Sequence, residues 1–376
     1  MSTTTILTAP RTSGQHEPLF ADLAPYTSFP HQIHGSTAWS ADTLRANPEL
    51  WTHIWQPAEI QAIDSAATAF LAAGWELTEI TKERFPLPPA LTSLLETTRQ
   101  ELLHGRGLIL FKGLPVTQWD RRKCAAAYMG LGSYLGHFVS QNGRGHVLGH
   151  VKDLGEDSTQ IDKVRIYRTN ARQYFHADDS DLVGLLCLAR ALEGGESDVV
   201  SAHTVFNVLQ RERPDVVETL CQPTWYFDRK GEVSPGQAEW IRASVFYWWG
   251  GRLYSKWDPY YVRSLTRFSS TGLIPPLTPA QLTALDVLEN TCRRLSLHMV
   301  LDVGDLQVVS NTHVFHARTE YTDHAPPAPR RHLLRLWLAT PESEGGWALP
   351  FHDSGEAKRG GIRVEGVEEN APLEAE

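Results

Sequence analysis

Residues 298–339 read HMVLDVGDLQVVSNTHVFHARTEYTDHAPPAPRRHLLRLWLA. This stretch contains three strand-like runs of apolar residues, which are separated by Gly-Asp, by Asn-Thr and by a Pro-rich loop. Many short strands divided by turn residues are typical of a β-sandwich or a jelly-roll barrel, and they argue against a sheet built from β-α-β units.

Further strands are predicted upstream of this stretch. GRGLILFKGLPV (105–116) is a short apolar run bounded by glycines, as expected of a buried strand. VRIYR (164–168) and LVGLLCLA (182–189) are also strand-like. We interpret the polar segment TNARQYFHADDS (169–180) as the connection between these two strands.

The predicted helices lie mainly outside the strand-rich stretches. One helix begins at Pro57, which suits a first helical turn and is followed by apolar residues at helical spacing. Another follows Thr278, which can cap it, with Pro279 in the first turn. The predicted fold class is therefore mainly β with flanking helices.

The domain organisation is predicted to be simple. Residues 1–30 mix Ser, Thr, Pro and His without periodicity, so we expect a tail or wrapping segment there. Residues 31–376 are expected to form a single domain whose β core spans about residues 105–340. From Gly345 onward we expect a loop and then a charged, mobile end.

Composition narrows the possible functions. Lys and Arg together number 35 against 44 Asp and Glu, a net charge of -9, which argues against nucleic acid or an acidic membrane surface as a partner. No apolar stretch approaches the roughly 20 residues needed to cross a bilayer. The four cysteines are far apart and are predicted to be isolated, reduced thiols. We expect a soluble, cytoplasmic protein that acts on small molecules.

Two distant motifs point to a metal site. His176-Ala177-Asp178 can aim one imidazole and one carboxylate at the same ion, and a second histidine follows in NTHVFHAR (311–318). Two histidines and one carboxylate on one face of an iron(II) ion leave positions open for oxygen chemistry. An Arg-rich run, RRHLLRLW (330–337), follows the second histidine.

The order of these motifs resembles the taurine dioxygenase and TfdA-like family of iron(II) and 2-oxoglutarate-dependent oxygenases. The segments GRGLILFKGLPV, SQNGRGHVLGHVKDLG, DLVGLLCLARALEGGES and GDLQVVSN also look like that family's connecting segments. The resemblance covers about residues 105–340 and implies a double-stranded β-helix core, which is the jelly roll of cupin-like proteins.

Carried over residue by residue, the resemblance implies that His176, Asp178 and His316 are the metal ligands. It further implies that Arg331 pairs with the far carboxylate of 2-oxoglutarate and that Ser197 helps to hold that carboxylate. A guanidinium gives a carboxylate two parallel hydrogen bonds, which a lysine cannot do. Arg335 lies on the same face of the predicted strand and is an alternative contact for 2-oxoglutarate or an anchor for a substrate anion.

Several neighbouring residues have more than one interpretation. His313 competes with His316 for the metal, but the H-x-R context and the alternation of the strand favour His316 and leave His313 as a supporting or surface residue. His203 is interpreted as a hydrogen-bonded structural histidine rather than a third imidazole at the metal. Arg172 is expected either to contact substrate or to form a salt bridge. The aromatic run FYWW (246–249), with Tyr254 and Trp257, is expected to pack in the core, the alternative being that it lines a substrate pocket.

The resemblance implies an enzyme that oxidises an unactivated C–H bond of a small molecule by hydroxylation, desaturation or cyclisation. In that reaction 2-oxoglutarate and dioxygen become succinate and carbon dioxide. An arginine-rich, aromatic-lined pocket would suit a small carboxylate, an amino acid or a specialised-metabolite intermediate, and the oligomeric state is left open. Two other functions are weighed: a non-iron metal hydrolase with the same ligands, against which the arginine cluster speaks, and a non-catalytic jelly-roll binding protein.

Overall fold

The structure, a computed structural model, describes residues 17–375. The α-helices of this part of the chain are α1 (Ala41–Ala46), α2 (Pro57–Ala72), α3 (Pro89–His104), α4 (Arg121–Ser133), α5 (Ala202–Glu212), α6 (Pro214–Cys221), α7 (Pro259–Arg263), α8 (Thr266–Ser269) and α9 (Pro279–Leu295). Short 3-10 helices span Phe20–Asp22, Tyr26–Ser28, Pro48–Leu50, Leu77–Glu79, Ile166–Arg168 and Glu342–Glu344.

The strands are short, as the turn residues predicted. They are β1 (Thr52–Ile54), β2 (Leu108–Lys112), β3 (His137–Phe138), β4 (Leu148–Val151), β5 (Gln173–His176), β6 (Leu182–Ala189), β7 (Glu193–Gly194), β8 (Ser197–Ser201), β9 (Trp225–Asp228), β10 (Trp240–Ala243), β11 (Phe246–Trp249), β12 (Arg252–Ser255), β13 (Leu297–Met299), β14 (Leu306–Ser310), β15 (Val314–Arg318), β16 (Tyr321–Thr322) and β17 (His332–Ala339).

Two sheets form the centre of the molecule. The larger has the strand order β1-β2-β14-β6-β17-β3, with β4 also paired to β17, and the smaller has the order β13-β8-β15-β5. The pairs β9 with β10, β11 with β12 and β7 with β16 are separate two-stranded sheets. The central strands are mostly antiparallel, and the exception is β1, which runs parallel to β2 at the edge.

Alternation along the strands divides the core into three clusters. Leu334, Leu336 and Leu338 of β17 pack against residues of α2, α3 and α4 on the outer face of the larger sheet. Leu333 and Trp337, on the opposite face, share a cluster with residues of the smaller sheet. The outer face of the smaller sheet packs against α5, α6 and α9. The two inner faces therefore enclose a space between the sheets, with helices outside.

The two predicted helices are confirmed. The helix α2 begins at Pro57, and α9 begins at Pro279 directly after its capping residue Thr278. The Thr278 hydroxyl accepts a hydrogen bond from the Gln281 backbone at 3.2 Å, while the Thr278 backbone donates to the Gln281 side chain at 3.0 Å. This reciprocal arrangement satisfies backbone groups that the first helical turn would leave unpaired.

Two local predictions are wrong. VRIYR (164–168) forms no strand, because its last three residues make a 3-10 turn that Thr169 closes through its backbone N–H and hydroxyl. The segment 169–180 is more than a connection, since Gln173–His176 is the strand β5. This strand is polar because it lies at the edge of the smaller sheet, where Tyr174 faces solvent and His176 faces the inner space.

Both ends of the described chain pack on the domain. Residues 1–16 of the predicted tail lie outside the described residues, but Leu19 donates a backbone hydrogen bond to Pro350 and Phe29 is buried. The loop predicted from Gly345 onward is confirmed, whereas the mobility expected after it is wrong for its packed part. Trp347 and Arg359 are buried there. The Trp347 indole donates a hydrogen bond to the Leu103 carbonyl and the Arg359 guanidinium donates to Asp181, and these bonds fix the loop.

The thiols agree with the sequence analysis. All four cysteines are free and buried, and burial raises the pKa of Cys124 and of Cys187 to about 11. They are therefore protonated and unreactive in the folded protein. Within residues 17–375, no helix combines the length and the apolar character needed to cross a bilayer.

Candidate metal centre

Three predicted ligand side chains converge between the two sheets. His176 ends β5, Asp178 follows on the next loop, and His316 lies in β15 directly across from His176 in the strand register. Their ligand atoms all lie within 4.8 Å of one another. The His176 Nε2 is 3.8 Å from Asp178 Oδ1, and the His316 Nε2 is 3.6 Å from Asp178 Oδ2. We call these three residues the triad.

The loop that carries Asp178 is held on several sides. The Ala177 backbone donates to the Trp257 carbonyl at 2.8 Å, and the Asp178 backbone donates to the Asn311 side chain at 3.1 Å. Asn311 also donates its backbone N–H to the Asp181 carbonyl at 2.8 Å and its amide to the Ser180 hydroxyl at 3.2 Å. Asn311 therefore fixes the aspartate relative to β15, which begins three residues later.

The electrostatics of the triad suit a divalent cation. Burial, reinforced by His176 and Arg335, holds the pKa of His316 well below its usual value, so the imidazole is neutral and can ligate. The Nδ1 of His176 lies 2.9 Å from the Tyr174 carbonyl, which fixes the tautomer with a lone pair on Nε2. That Nε2 contacts the Gln173 amide at 2.9 Å.

An unsatisfied carboxylate oxygen completes the fit. Asp178 Oδ2 is buried and has no hydrogen-bond partner among the described residues. An unpaired buried carboxylate oxygen carries a large desolvation cost, which a cation would offset. The donor set of two imidazoles and one carboxylate, carried by two strands and one short loop, matches what iron(II) takes in oxygenases.

Two buried arginines form a cationic corner of the inner space. Arg331 immediately precedes β17, and Arg318 is two residues beyond His316 on the same face of β15. Both guanidinium groups lie over the Tyr321 ring, at 4.7 Å for Arg318 and 5.0 Å for Arg331. Burial, together with Arg331, lowers the pKa of Arg318 to about 10. Within residues 17–375 neither arginine pairs with a carboxylate, and the Arg331 Nη1 is buried without a partner.

Ser197 lies at this cationic corner. Its Cα is the register partner of Arg318, and its hydroxyl donates to Gln307 Oε1 at 3.0 Å across to the larger sheet. Arg331 donates from Nη2 to the Gly195 carbonyl at 3.0 Å, two residues before Ser197. The chain just before Ser197 thus contacts Arg331 through Gly195, and Arg318 lies beside Ser197 in the neighbouring strand.

Arg335 lies elsewhere on the same strand face. Its Nη1 is 3.8 Å from Asp178 Oδ1, its Nε donates to Gln141 Oε1 at 2.7 Å, and its guanidinium lies over the Tyr167 ring at 4.5 Å. Arg335 therefore borders the triad directly, and Arg331 does not. Arg330, the third arginine of the run, is partly exposed and pairs with Asp153 and Asp323.

A pocket opens beside Asp178, and we call it the charged pocket. Its walls include Arg165, Asp178, Lys256, Trp257, Asp258 and Ile362. The cations in it are paired: Arg165 with Glu232, Lys256 with Asp179, and Arg229 with Glu17 at 3.0 Å. The Nε of Arg229 and the indole N–H of Trp257 are buried without partners among the described residues. Polar groups of both signs are therefore available next to the triad.

The remaining sequence candidates have structural roles. His313 is fully buried, stacks on Trp347 and contacts Thr312 and Gly105 through its two ring nitrogens, so the surface alternative for it is wrong. His203 is hydrogen-bonded to Thr37 and to the Leu253 carbonyl, as the sequence analysis favoured.

Arg172 and the aromatic run also follow the plainer interpretation. Arg172 makes a salt bridge with Glu289 at 2.8 Å. Phe246 and Tyr247 pack in the core cluster outside the smaller sheet, with Trp248 packed against it. Trp257, a later residue of the same aromatic region, lines the charged pocket, as do Phe227, Tyr261 and Trp337.

Three residues of the site were missed in the sequence. Asn311 gave no stronger signal than a turn, and Arg318 entered as the context of a histidine rather than as a cation of the inner space. Arg359, described below, lies in a segment that was expected to be mobile. Each acts through a contact distant in sequence, which local patterns do not report.

Comparison with known proteins agrees with this geometry. A sequence model of the family described as taurine catabolism dioxygenase TauD, TfdA family, matches residues 74–337. This range contains the triad, the cationic corner and both central sheets except the edge strand β1 and the last residues of β17.

Two characterised relatives have moderate similarity over most of the chain. FR-33289 synthase of Streptomyces rubellomurinus is 28% identical over 310 residues, which are 81% of this chain and 90% of that protein. A taurine hydroxylase-like protein of Stachybotrys chartarum is 28% identical over 299 residues, which are 78% of this chain and 76% of that protein.

Solved structures share the fold at low identity. An asparagine oxygenase in complex with Fe(II), 3-hydroxyasparagine and succinate has a TM-score of 0.62 at 17% identity, covering 77% of this chain and 94% of that one. The non-heme iron oxygenase OrfP, in complex with Fe, succinate and (3S)-hydroxy-L-Arg, has a TM-score of 0.57 at 16% identity, covering 82% and 98%.

Proposed function

Because the chain belongs to the TauD, TfdA family of dioxygenases, we propose that its triad of His176, Asp178 and His316 binds the catalytic iron(II) and that the charged pocket receives the substrate. The enzyme class follows from the family: this is an iron(II)- and 2-oxoglutarate-dependent dioxygenase, an oxidoreductase of hydroxylase type. Its substrate is a small molecule.

The single observation that supports the metal assignment is the convergence of the triad with a buried, unpartnered Asp178 oxygen. When bound, iron(II) and 2-oxoglutarate supply the activation of dioxygen for attack on a C–H bond, with succinate and carbon dioxide as co-products. The chain's own part is to keep His316 neutral and to fix the Asp178 loop through Asn311.

We assign the far carboxylate of 2-oxoglutarate to Arg331 and Ser197. The buried Nη1 of Arg331 lacks an acceptor, and the neighbouring Arg318 adds a second positive charge in the same corner. A buried anion there would satisfy the free donor and relieve the repulsion between the two guanidinium groups. We assign Arg335, which lies next to Asp178, as a contact for the substrate or the co-substrate beside the triad.

The class of substrate that we propose is a small carboxylate or amino acid. The charged pocket offers cations in Arg165, Arg229 and Lys256 and a buried acid in Asp258, so a ligand with groups of both signs can be oriented. The Asp258 carboxylate accepts the backbone N–H of Tyr260 at 2.8 Å and caps α7, which keeps it in place. The asparagine oxygenase and OrfP complexes hold hydroxylated amino acids, in line with this proposal.

The proposal extends to the architecture. We infer that the two central sheets are the two halves of a double-stranded β-helix, with the iron between them at one end. We also keep residues 31–376 as one oxygenase domain with its core at about 105–340. Two-sheet topology with helices on both outer faces supports this assignment.

An anaerobic titration of the wild-type protein with iron(II) and 2-oxoglutarate tests the function. We expect a weak visible charge-transfer band, loss of that band in His176→Ala, and its retention in His313→Ala, which removes a buried histidine outside the triad. In air, small carboxylates and amino acids are then screened for an increase in succinate formation. A band that is absent from wild type, or that persists in His176→Ala, contradicts the proposal. A metal hydrolase or a binding protein would show neither the band nor succinate.

A further inference from the structure

The C-terminal segment reaches the metal-binding loop through a buried ion pair. Arg359 is 1% exposed and its Nε donates to Asp181 Oδ2 at 2.8 Å. Asp181 lies three residues after Asp178 and is itself 2% exposed in its side chain. The same carboxylate accepts the Thr340 backbone N–H at 2.6 Å, and Arg359 donates to the Trp347 carbonyl at 2.6 Å. This pair fixes the chain around Arg359 against the loop of the triad.

Two glycines then carry the chain across the edge of the charged pocket. Gly360 and Gly361 have φ values of +72° and +70°, which side chains with a Cβ rarely adopt. A Cβ at Gly361 would lie 2.8 Å from the Ser140 carbonyl oxygen, so a larger residue would not fit. The Gly361 N–H donates to the Asp179 carbonyl at 2.6 Å, and the Ile362 N–H donates to the Ser140 carbonyl at 2.8 Å. We call residues 359–362 the strap.

The strap brings one apolar side chain to the pocket. Ile362 lines the charged pocket together with Asp178, Trp257 and Trp337, and it is only partly buried, so part of its surface faces the open space. Its other side packs against the inner cluster between the sheets. The strap lies beyond residue 337, where the family match ends.

From this arrangement we propose that Ile362 is a specificity-determining residue, which sets the size of the substrate group that fits beside Asp178. The inference rests on the proposed function, because it takes the charged pocket as the substrate site. The backbone N–H groups of Gly361 and Ile362 are hydrogen-bonded to Asp179 and Ser140, so the main chain that carries the Ile362 side chain is fixed at the pocket wall. A rigid apolar wall limits size sharply, because cavities in well-packed sites do not adapt to additional methylene groups.

The test compares Ile362→Ala, Ile362→Phe and wild type, with Val364→Ala as the matched control. Val364 is a partly buried aliphatic residue of the same segment, and it lies outside the pocket walls. Each protein is loaded with iron(II) and 2-oxoglutarate without oxygen, so that binding is measured without turnover. The probes are straight-chain carboxylates of two to eight carbons and L-amino acids from alanine to tryptophan, and the readouts are the shift in Tm and the change in the visible band.

We expect Ile362→Ala to extend the binding cut-off to larger probes, with at least tenfold tighter binding of the first probe that wild type excludes. Ile362→Phe should move the cut-off to smaller probes, and Val364→Ala should leave it unchanged. The same cut-off for all four proteins, including no binding of any probe to any of them, would overturn the proposal. The band of the loaded proteins separates the two ideas: its absence from wild type refutes the proposed function, whereas its presence with an unmoved cut-off refutes only the role of Ile362.

Discussion

The molecule contains two pairs of buried histidines near the smaller sheet, and they differ in how their nitrogens are used. The rings of His176 and His316 lie 4.1 Å apart beside a carboxylate oxygen that has no partner among the described residues. The rings of His203 and His313 lie 5.6 Å apart, and each of their ring nitrogens has a contact with a hydroxyl or a backbone carbonyl. Every ring nitrogen of the second pair is thus engaged in the fold, whereas in the first pair His316 Nδ1 has no partner among the described residues and His316 Nε2 faces Asp178.

The difference shows what distinguishes a metal site from a structural histidine cluster. Burial is common to both pairs, and burial lowers the pKa of His203 as well as that of His313 and His316. Within residues 17–375, the first pair has a carboxylate close to both rings, and Asp178 Oδ2 and His316 Nδ1 are buried there without hydrogen-bond partners, whereas both rings of the second pair are hydrogen-bonded through each nitrogen. Whether a buried histidine is a candidate metal ligand therefore depends on which nearby polar atoms lack hydrogen-bond partners, more than on residue type or burial.

Removing one histidine from each pair should give the largest effects. His316→Ala is expected to reduce iron(II) affinity by more than about 100-fold, beyond what loss of a supporting residue causes, with the fold retained. His313→Ala should keep the iron but lose about 3 kcal/mol in the free energy of unfolding, because a buried ring and its contacts are removed. Metal analysis and urea unfolding of both variants measure this. Metal loss in His313→Ala would reverse the assignment.

Asn311→Ala should weaken iron(II) binding at His176 and His316, although Asn311 is not a predicted ligand. The Asn311 side chain accepts a hydrogen bond from the Asp178 backbone N–H. Its removal leaves the Asp178 carboxylate less firmly positioned and should lower iron(II) affinity by about 10- to 100-fold. Asn311→Asp keeps the acceptor and is expected to restore most of the affinity. Titration with iron(II) under anaerobic conditions measures both. Equal loss in the two variants would indicate a general loss of structure instead of a positioning role.

The structural pair predicts a dependence of stability on pH. Burial lowers the pKa of His203 to about 4, so the folded state binds this proton less readily than the unfolded state, whose ordinary value is about 6.5. The neutral His203 ring therefore contributes fully to the free energy of unfolding above about pH 6.5. This contribution is lost as the pH falls toward 4, and the loss at pH 5 is about 2 kcal/mol. Urea unfolding at pH 7 and 5 measures it. His203→Gln should reduce the difference between the two pH values, and an unchanged difference would contradict the prediction.

The smallest effect is expected at the cationic corner. Arg331→Lys keeps the charge but loses the forked geometry, so the KM for 2-oxoglutarate should rise by about tenfold while kcat changes little. The matched control is Arg330→Lys, which alters the neighbouring, partly exposed arginine that pairs with Asp153 and Asp323. Initial rates of succinate formation measure both variants. The same KM in Arg331→Lys and wild type would move the carboxylate contact to Arg335 or Arg318.

Sequence patterns predicted several strands and the starts of two helices, and the family resemblance supplied the members of the triad. Periodicity and turn residues located β6, β15 and β17, and capping chemistry located the start of α9, because these signals are local. The preference for His316 over His313 came from alternation along the strand, and the structure places His316 in the triad and His313 in the core.

The remainder could not be predicted because it depends on contacts between distant segments. VRIYR resembles a strand in composition, but the buried Arg165 within it is held by Glu232 and Tyr261 across the charged pocket. The C-terminal segment looked mobile because it is rich in charge, while one of those charges, Arg359, is paired with Asp181 in the interior. A charged residue in sequence does not reveal whether its counterion is nearby in space.

The register of β5 against β15 has a consequence for how this protein acquires its metal in the cell. One histidine ligand belongs to the middle of the chain and the other to its final third, and they become neighbours only when these two strands are paired. During synthesis the ribosome must therefore release the second ligand before a complete site exists, and iron cannot act as an early nucleus for this long-range pairing. Under the proposed assignment of the triad, metal loading is therefore expected to follow the pairing of these strands, and a nascent or misregistered chain would be left without the ion.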